Sequence, residues 1–230
     1  MKSASELWLL TVCLIACLLA PRSLVLAQSS APPQNPPARV PANIHQLFID
    51  DQAERTVGGV LPKYGPDVNS RDASRRAEAR LLLEVGELKT AQDFHDAAFI
   101  FQHGHSPQDY LLAHILAVEA IVKGDASSKW LAAATLDRYL QAVGQKQVFG
   151  TQYSSKSYMY LMLRRDDPNA ANSPEAQQKG NTQEPYDRTL VPESLRAEFC
   201  VADQAAQATN LSDLNAGKPF TGTLPPGCND

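Results

Sequence analysis

The sequence lacks any cluster of basic residues. Its 21 lysines and arginines are scattered among 25 aspartates and glutamates, for a formal net charge of −4. Proteins that bind nucleic acid concentrate positive charge on one face, where it meets the phosphate backbone. We therefore expect no nucleic acid partner.

Motifs of well-known catalytic sites are also missing. The chain contains no Gly-x-Ser-x-Gly, no phosphate-binding glycine loop and no His-Glu-x-x-His, which mark several large enzyme classes. Its five histidines lack the His-x-x-x-His spacing that places two ligands on one helical face. We therefore expect neither a metal site nor a cofactor.

Cysteine is scarce, and two of the four cysteines, Cys13 and Cys17, lie in an apolar run over residues 7–20. This run follows Lys2 and precedes the small-residue sequence that ends at Ala27, a pattern typical of a cleaved signal peptide spanning residues 1–27. It is shorter than the roughly 20 residues that cross a bilayer. We expect an exported protein, periplasmic or secreted, with no transmembrane anchor in the mature chain. A lipoprotein anchored through Cys17 is the alternative.

Export would leave only Cys200 and Cys228 in the mature chain. An even pair in an oxidising compartment predicts one disulfide bond. Two free thiols are the alternative. A zinc site is not favoured, because the two residues are too far apart for the close ligand spacing of zinc motifs.

Proline and small polar residues divide the mature chain. Residues 28–42 contain five prolines and predict an extended linker. Residues 43–216 are expected to form a single helical domain. Within it, residues 164–187 carry little apolar surface, which predicts a mobile insertion. Residues 217–230 predict a loose tail, tethered by Cys228.

Regularly spaced helix-starting and helix-ending residues predict four consecutive helices between residues 69 and 143. A glycine follows each apolar-periodic segment, as at helix ends. Capping side chains precede a carboxylate by three residues at three of the starts. Short turns make neighbouring helices antiparallel. The glycines are Gly86, Gly104, Gly124 and Gly144, and the capping pairs are Asn69 with Asp72, Thr90 with Asp93 and Ser106 with Asp109.

The predicted fold class is therefore mainly α, an array of helical hairpins similar in architecture to tetratricopeptide repeats. The third helix is apolar around most of its circumference, which predicts a central position. Residues 148–153 and 158–163 are β-prone. They predict a small hairpin that closes the array after the fourth helix.

Polar residues within this apolar framework are the candidates for a site. His114 lies on the most apolar helix and is expected to be a buried histidine with a hydrogen-bond partner. Asp137 and Arg138 are adjacent and so point about 100° apart on their helix, which requires a separate partner for each. The loop 145–153 follows Gly144 and could fold back to supply partners for both.

Three motifs resemble, in order and spacing, an uncharacterised bacterial family known only as a domain of unknown function. They are a Gln-His pair, an Asp-Arg pair and a Gly-x-x-Gln-x-aromatic-Gly-Thr-Gln loop. The resemblance covers roughly residues 85–155, with a weaker extension over residues 188–199, and the expected tryptophan before Gln-His is Phe99 here. It groups the following residues without naming their chemistry: Gln102, His103, Asp137, Arg138, Gln147, Gly150, Thr151 and Gln152.

Two classes of function fit these residues. The first is a binding or scaffolding module in which they bind a peptide, a protein or a cell-envelope ligand. The alternative is a hydrolase in which His103 acts as general base with Asp137, and Arg138 or Gln152 stabilises developing negative charge. A third reading is that the motif only stabilises the fold. Convergence of His103, Asp137 and Gln152 in a cleft would favour a site, and their burial without a cleft a structural role.

Overall fold

The computed structural model describes residues 43–56, residues 66–218 and Cys228. The expected signal peptide, residues 1–27, and the proline-rich linker, residues 28–42, lie outside the described residues. So does most of the tail, residues 217–230.

The described part of the chain is mainly helical, as the sequence predicted. It contains eight α-helices: α1 (Ile44–Thr56), α2 (Pro66–Glu84), α3 (Ala91–Gln102), α4 (Pro107–Val122), α5 (Ser128–Ala142), α6 (Lys156–Leu163), α7 (Glu193–Glu198) and α8 (Gln204–Asn215). Helices α2 to α5 correspond to the four helices predicted between residues 69 and 143. None of the described helices is long and apolar enough to cross a membrane.

The starts of α3 and α4 follow the predicted capping chemistry. The Thr90 hydroxyl accepts a hydrogen bond from the Asp93 amide, and the Asp93 carboxylate accepts one from the Thr90 amide. The Ser106 hydroxyl caps α4 by accepting a hydrogen bond from the Asp109 amide, with Pro107 as the first helical residue. Each cap supplies a partner to an amide that has none inside the helix. These caps set the residues at which α3 and α4 begin.

Two expectations about helix ends were wrong. Asn69 is not a cap, because α2 already begins at Pro66; Asp72 instead pairs with arginines inside the fold. Gly104 does not adopt the left-handed backbone of Gly86, Gly124 and Gly144. A Cβ atom on Gly104 would lie 2.3 Å from the Cβ of Asp109. Glycine is therefore required there by close packing of the α3–α4 turn.

Helix α4 lies between α3 and α5, but it is not enclosed on every side. Leu116 is 2% exposed and belongs to the main core with Phe101 and Leu131. On the outer face, by contrast, Ile115 and Val122 are 53% and 75% exposed. The central position predicted for this helix is therefore confirmed by its packing on both α3 and α5, while its outer face stays exposed.

A small antiparallel sheet follows the helical array, as predicted, but from other residues. Strand β1 (Ser154–Ser155) pairs with β2 (Asn181–Thr182). Residues 158–163, expected as a strand, belong to α6. The Ser155 hydroxyl caps that helix by accepting a hydrogen bond from the Tyr158 amide. The length of this apolar run suits either a strand or a short helix, and the Ser155 cap favours the helix.

The segment 164–187, expected to be a mobile insertion, has defined structure. It contains two short 3-10 helices, Ala170–Asn172 and Pro174–Gln177, as well as β2. Near its end, Gln183 and Tyr186 are buried. The amide of Asp187 donates to the carbonyl of Gln147 at 2.9 Å. Hydrogen bonds therefore hold the end of this segment, which a count of apolar residues did not reveal.

The predicted disulfide is present. Cys200 and Cys228 are joined, with their Cα atoms 5.5 Å apart. Cys200 lies between α7 and α8, two residues after Glu198, the last residue of α7. The bond therefore links the end of the chain to the α7–α8 turn.

Candidate functional site

The loop of residues 147–152 folds back on α5 and is held by Asp137. Asp137 is fully buried, and its carboxylate accepts four hydrogen bonds from this loop. The amides of Val148 and Phe149 lie 2.7 and 3.0 Å from Oδ1, and the amide and hydroxyl of Thr151 lie 2.9 and 2.8 Å from Oδ2. The negative charge thereby finds the donors that a buried carboxylate requires.

Arg196 binds the opposite side of the same loop. Its side chain is fully buried on α7. It donates from Nη1 to the Phe149 carbonyl and from Nη2 to the Val148 carbonyl, the latter at 3.0 Å. Asp137 and Arg196 therefore lie on opposite sides of the Val148–Phe149 peptide group, whose N–H points toward the anion and whose carbonyl points toward the cation. Oriented this way, the peptide dipole stabilises both buried charges.

Gly150 is required at the turn of this loop. Its φ of +75° is left-handed. An added Cβ would lie 2.3 Å from Oε1 of Gln207 and 2.6 Å from the hydroxyl of Tyr186. That hydroxyl donates to Gln207 at 3.0 Å. Burial raises the pKa of Tyr186 to about 12, so the phenol keeps its proton and remains a donor.

Gln147 braces the loop internally. Its side chain is fully buried; it accepts from the Gln152 amide at 3.0 Å and donates to the carbonyls of Gln152 and Gln183. Asp137 is not among its hydrogen-bond partners. We call the set Asp137, Gln147, Gly150, Thr151 and Arg196 the loop clamp.

A second set of residues lies beside the loop clamp, at the end of the array where α3 stops and α4 starts. Arg138 donates from Nε to Oε1 of Gln152 at 3.1 Å and from Nη1 to the carbonyl of Gln102 at 2.8 Å. Nε2 of Gln152 donates to the Ala134 carbonyl at 3.2 Å. Arg138 thus ties the loop to the end of α3. We call Gln102, His103, Tyr110, Arg138 and Gln152 the polar end.

Gln102 is a buried residue at the end of α3. The residue is 5% exposed. Its backbone carbonyl binds Arg138, but within the described residues its carboxamide makes no hydrogen bond. Neither carboxamide atom is among the fully sealed polar atoms without a partner. The tip of this buried side chain therefore reaches solvent-accessible space.

His103 belongs to an ion network between α1 and α2. Its Nδ1 lies 3.2 Å from Oδ2 of Asp51, and Nε of Arg55 lies 3.1 Å from its Nε2. Arg55 also binds Asp72 through Nη2 at 3.0 and 3.1 Å. A neutral ring with its proton on Nδ1 satisfies both neighbours. Burial lowers the pKa of His103, and the charges of Arg55 and Arg138 lower it further, against the opposing effect of Asp51.

The lowered pKa of His103 gives a pH dependence with a definite sign. Below an unfolded-state pKa of about 6.5, the unfolded chain takes up a proton more readily than the folded one, so stability should fall as the pH drops through the folded-state pKa. We expect His103→Gln to flatten this dependence below pH 6.5 in urea denaturation series. Identical slopes for the variant and the wild type would contradict the assignment. The other charged groups of this network are Asp51, Arg55, Asp72, Arg75 and Arg76.

The remaining predicted residues fall into place around these sets. Nδ1 of His114 lies 2.9 Å from the Ala132 carbonyl, which gives the expected partner, although the residue is only partly buried and not in the core. His103 binds Asp51 and Arg55, whereas Asp137 binds the loop, so the two side chains do not form the hydrogen-bonded pair that a hydrolase would use. Sequence reasoning missed Asp51 and Arg55, whose positions carry no motif. It also missed Arg196, although the weaker extension of the resemblance includes that position.

No family model, no curated protein and no solved structure matches this chain. The resemblance to a family of unknown function therefore stays a prediction. Its motif residues nevertheless lie in two adjoining sets, the loop clamp and the polar end. Among the described residues, no three or more His, Cys, Asp or Glu side chains are grouped to hold a metal ion.

Proposed function

We propose that this chain is an exported binding module whose polar end binds a peptide or a fragment of the cell envelope. The loop clamp holds Gln152 in place, and Gln152 in turn orients Arg138. The buried residues Asp137, Gln147 and Arg196 fix the shape of the loop. The residues of the polar end would contact the ligand.

The observation that carries this proposal is the Gln102 carboxamide. An amide whose tip borders solvent-accessible space can exchange a water molecule for a ligand group without breaking a hydrogen bond inside the protein. Gln102 is almost fully buried yet its carboxamide binds none of the described protein groups. A ligand amide or hydroxyl would supply a partner, since a carboxamide can both donate and accept.

Tyr110 supports the same location. It lies in the first turn of α4. Burial raises the pKa of its phenol, and the positive charge of Arg138 opposes that increase. A half-buried aromatic ring beside hydrogen-bonding groups is a common feature of ligand sites, because it offers apolar area and a polar tip together.

The alternative, a hydrolase using His103 and Asp137 with Arg138 or Gln152, has less support. A general base needs a lone pair within reach of a substrate, and Arg55 lies against Nε2 of His103. The Asp137 carboxylate is already bound by four donors of the loop. These contacts favour binding over catalysis.

Calorimetric titration with two probe sets tests the proposal: disaccharide–tetrapeptide fragments of peptidoglycan and a mixture of short peptides. We expect one set to bind. Gln102→Leu should then weaken binding about tenfold, since roughly one hydrogen bond is lost, without lowering the melting temperature. Gln108→Leu, at an exposed position on α4, is the matched control and should bind as the wild type does.

Two outcomes would contradict the proposal. If neither probe set binds the wild-type protein, the ligand class is wrong. If a probe binds Gln102→Leu as tightly as the wild type, the polar end is not the binding site.

A further inference from the structure

The end of α7 has an unusual backbone. Cys200 has a φ of +56°, in the left-handed region that favours glycine. The amide of Val201 donates to the carbonyl of Arg196 at 3.0 Å, and the amide of Cys200 donates to the carbonyl of Ala197, also at 3.0 Å. This pair of bonds is the helix-ending arrangement in which glycine is the usual left-handed residue. Here a cysteine occupies that position, and it is the cysteine bonded to Cys228.

The same turn positions Arg196. Its carbonyl closes the turn at Cys200, while its guanidinium binds the Val148 and Phe149 carbonyls. The ring of Phe199, directly before Cys200, packs 5.1 Å from the ring of Phe149. Both contacts from α7 to the loop of residues 147–152 therefore depend on the conformation at the end of α7.

We propose that the Cys200–Cys228 disulfide is a redox-sensitive brace that fixes the end of α7 and thereby holds Arg196 on the loop of residues 147–152. When the bond is intact, the tether to Cys228 holds Cys200 at the left-handed turn. When it is reduced, Cys200 regains the freedom to leave that conformation, and the α7 contacts to the loop weaken. Reduction would then loosen the loop that positions Gln152 and Arg138; the consequence for ligand binding rests on the proposed function.

The chemistry needs a dithiol reductant. A thiolate of the dithiol attacks one sulfur of the pair, forming a mixed disulfide and releasing the other cysteine as a thiolate, which takes up a proton. The second thiol of the reductant then displaces the remaining cysteine. Two electrons pass from the dithiol, which becomes a disulfide, to the protein, which gains two thiols. Both cysteines are partly exposed, so a reductant can approach.

Hydrogen exchange of the loop amides tests the brace without any ligand. The amides of Val148, Phe149 and Thr151 all donate to Asp137, so their exchange reports on the loop clamp. We expect about tenfold faster exchange at these amides after dithiothreitol treatment and in the variant Cys200→Ser/Cys228→Ser, because a local opening becomes easier. Amides in the middle of α4 should be unchanged and serve as the internal control.

A second variant separates the turn from the tether. Cys200→Gly/Cys228→Ser also lacks the disulfide, but glycine adopts a positive φ without a steric penalty. We expect its loop amides to exchange more slowly than those of the serine variant and close to the oxidised wild type.

Two results would overturn the proposal. Unchanged loop exchange on reduction would show that the disulfide does not brace the loop, and equal acceleration in the glycine and serine variants would show that the turn at Cys200 is not the link. Because the readout is exchange and not binding, neither result depends on whether the polar end binds a ligand.

Discussion

Replacing Asp137 by alanine should destabilise the protein by about 4 kcal/mol. The carboxylate is the shared acceptor for three backbone amides and one hydroxyl, and alanine leaves these buried donors without a partner and Arg196 without its opposing charge. Urea denaturation followed by circular dichroism measures the change. Asp166→Ala, at an exposed position, is the matched control and should change the stability by less than about 0.5 kcal/mol.

Asn at position 137 sharpens this test. Its amide oxygen can still accept from one side of the loop, but its NH2 group meets donors on the other side. We expect a loss smaller than that of alanine but still well above the control. A loss below about 1 kcal/mol for Asp137→Ala would mean that the loop is held mainly by other contacts.

Replacing Arg196 by methionine should cost about 3 kcal/mol. Methionine fills a similar volume, but it leaves the Val148 carbonyl without its guanidinium donor and removes the positive charge across the loop from Asp137. Arg188→Met is the matched control, because both guanidinium groups lie over the ring of Tyr186, at 5.4 Å for Arg196 and 4.4 Å for Arg188, and Arg188 is 43% exposed. Urea denaturation of the two variants separates the buried charge from the aromatic contact.

The two replacements should not be additive. If Asp137 and Arg196 stabilise each other through the peptides of the loop, the double variant should lose less than the two single losses combined, by about 1 kcal/mol or more. Strict additivity would show that each side chain acts on the loop independently.

Local chemistry made much of the helical array predictable. The caps at Thr90 and Ser106 and the left-handed turns at Gly86, Gly124 and Gly144 involve neighbours in the sequence, so a pattern of residue types is enough. The fold-back of the loop after Gly144 was also predictable, because Gly144 allows a reversal and the buried charge of Asp137 lies close to it in the sequence. The apolar run of residues 158–163 was not, since its length suits a strand or a short helix and only the Ser155 cap decides.

The partners within the site were harder to predict. Asp137 is bound mostly by backbone amides, and every residue except proline has one, so no side-chain pattern identifies them. The partners of His103 lie about 50 residues away on α1, and Arg196 lies 47 and 48 residues from the two carbonyls it binds. Contacts at such distances depend on how the helices pack, which a single sequence does not specify.

The long reach of the loop clamp also orders the folding of the chain. Helices α3, α4 and α5 pack on their sequence neighbours across short turns, and such local contacts form early because little chain entropy is lost in closing them. The Phe149 carbonyl, by contrast, accepts hydrogen bonds from Arg196 and Gln207, which lie 47 and 58 residues after it in the chain. These bonds can form only after that part of the chain is present. A chain emerging from the ribosome would therefore assemble its helical hairpins first, and the loop would close only once α8 had formed.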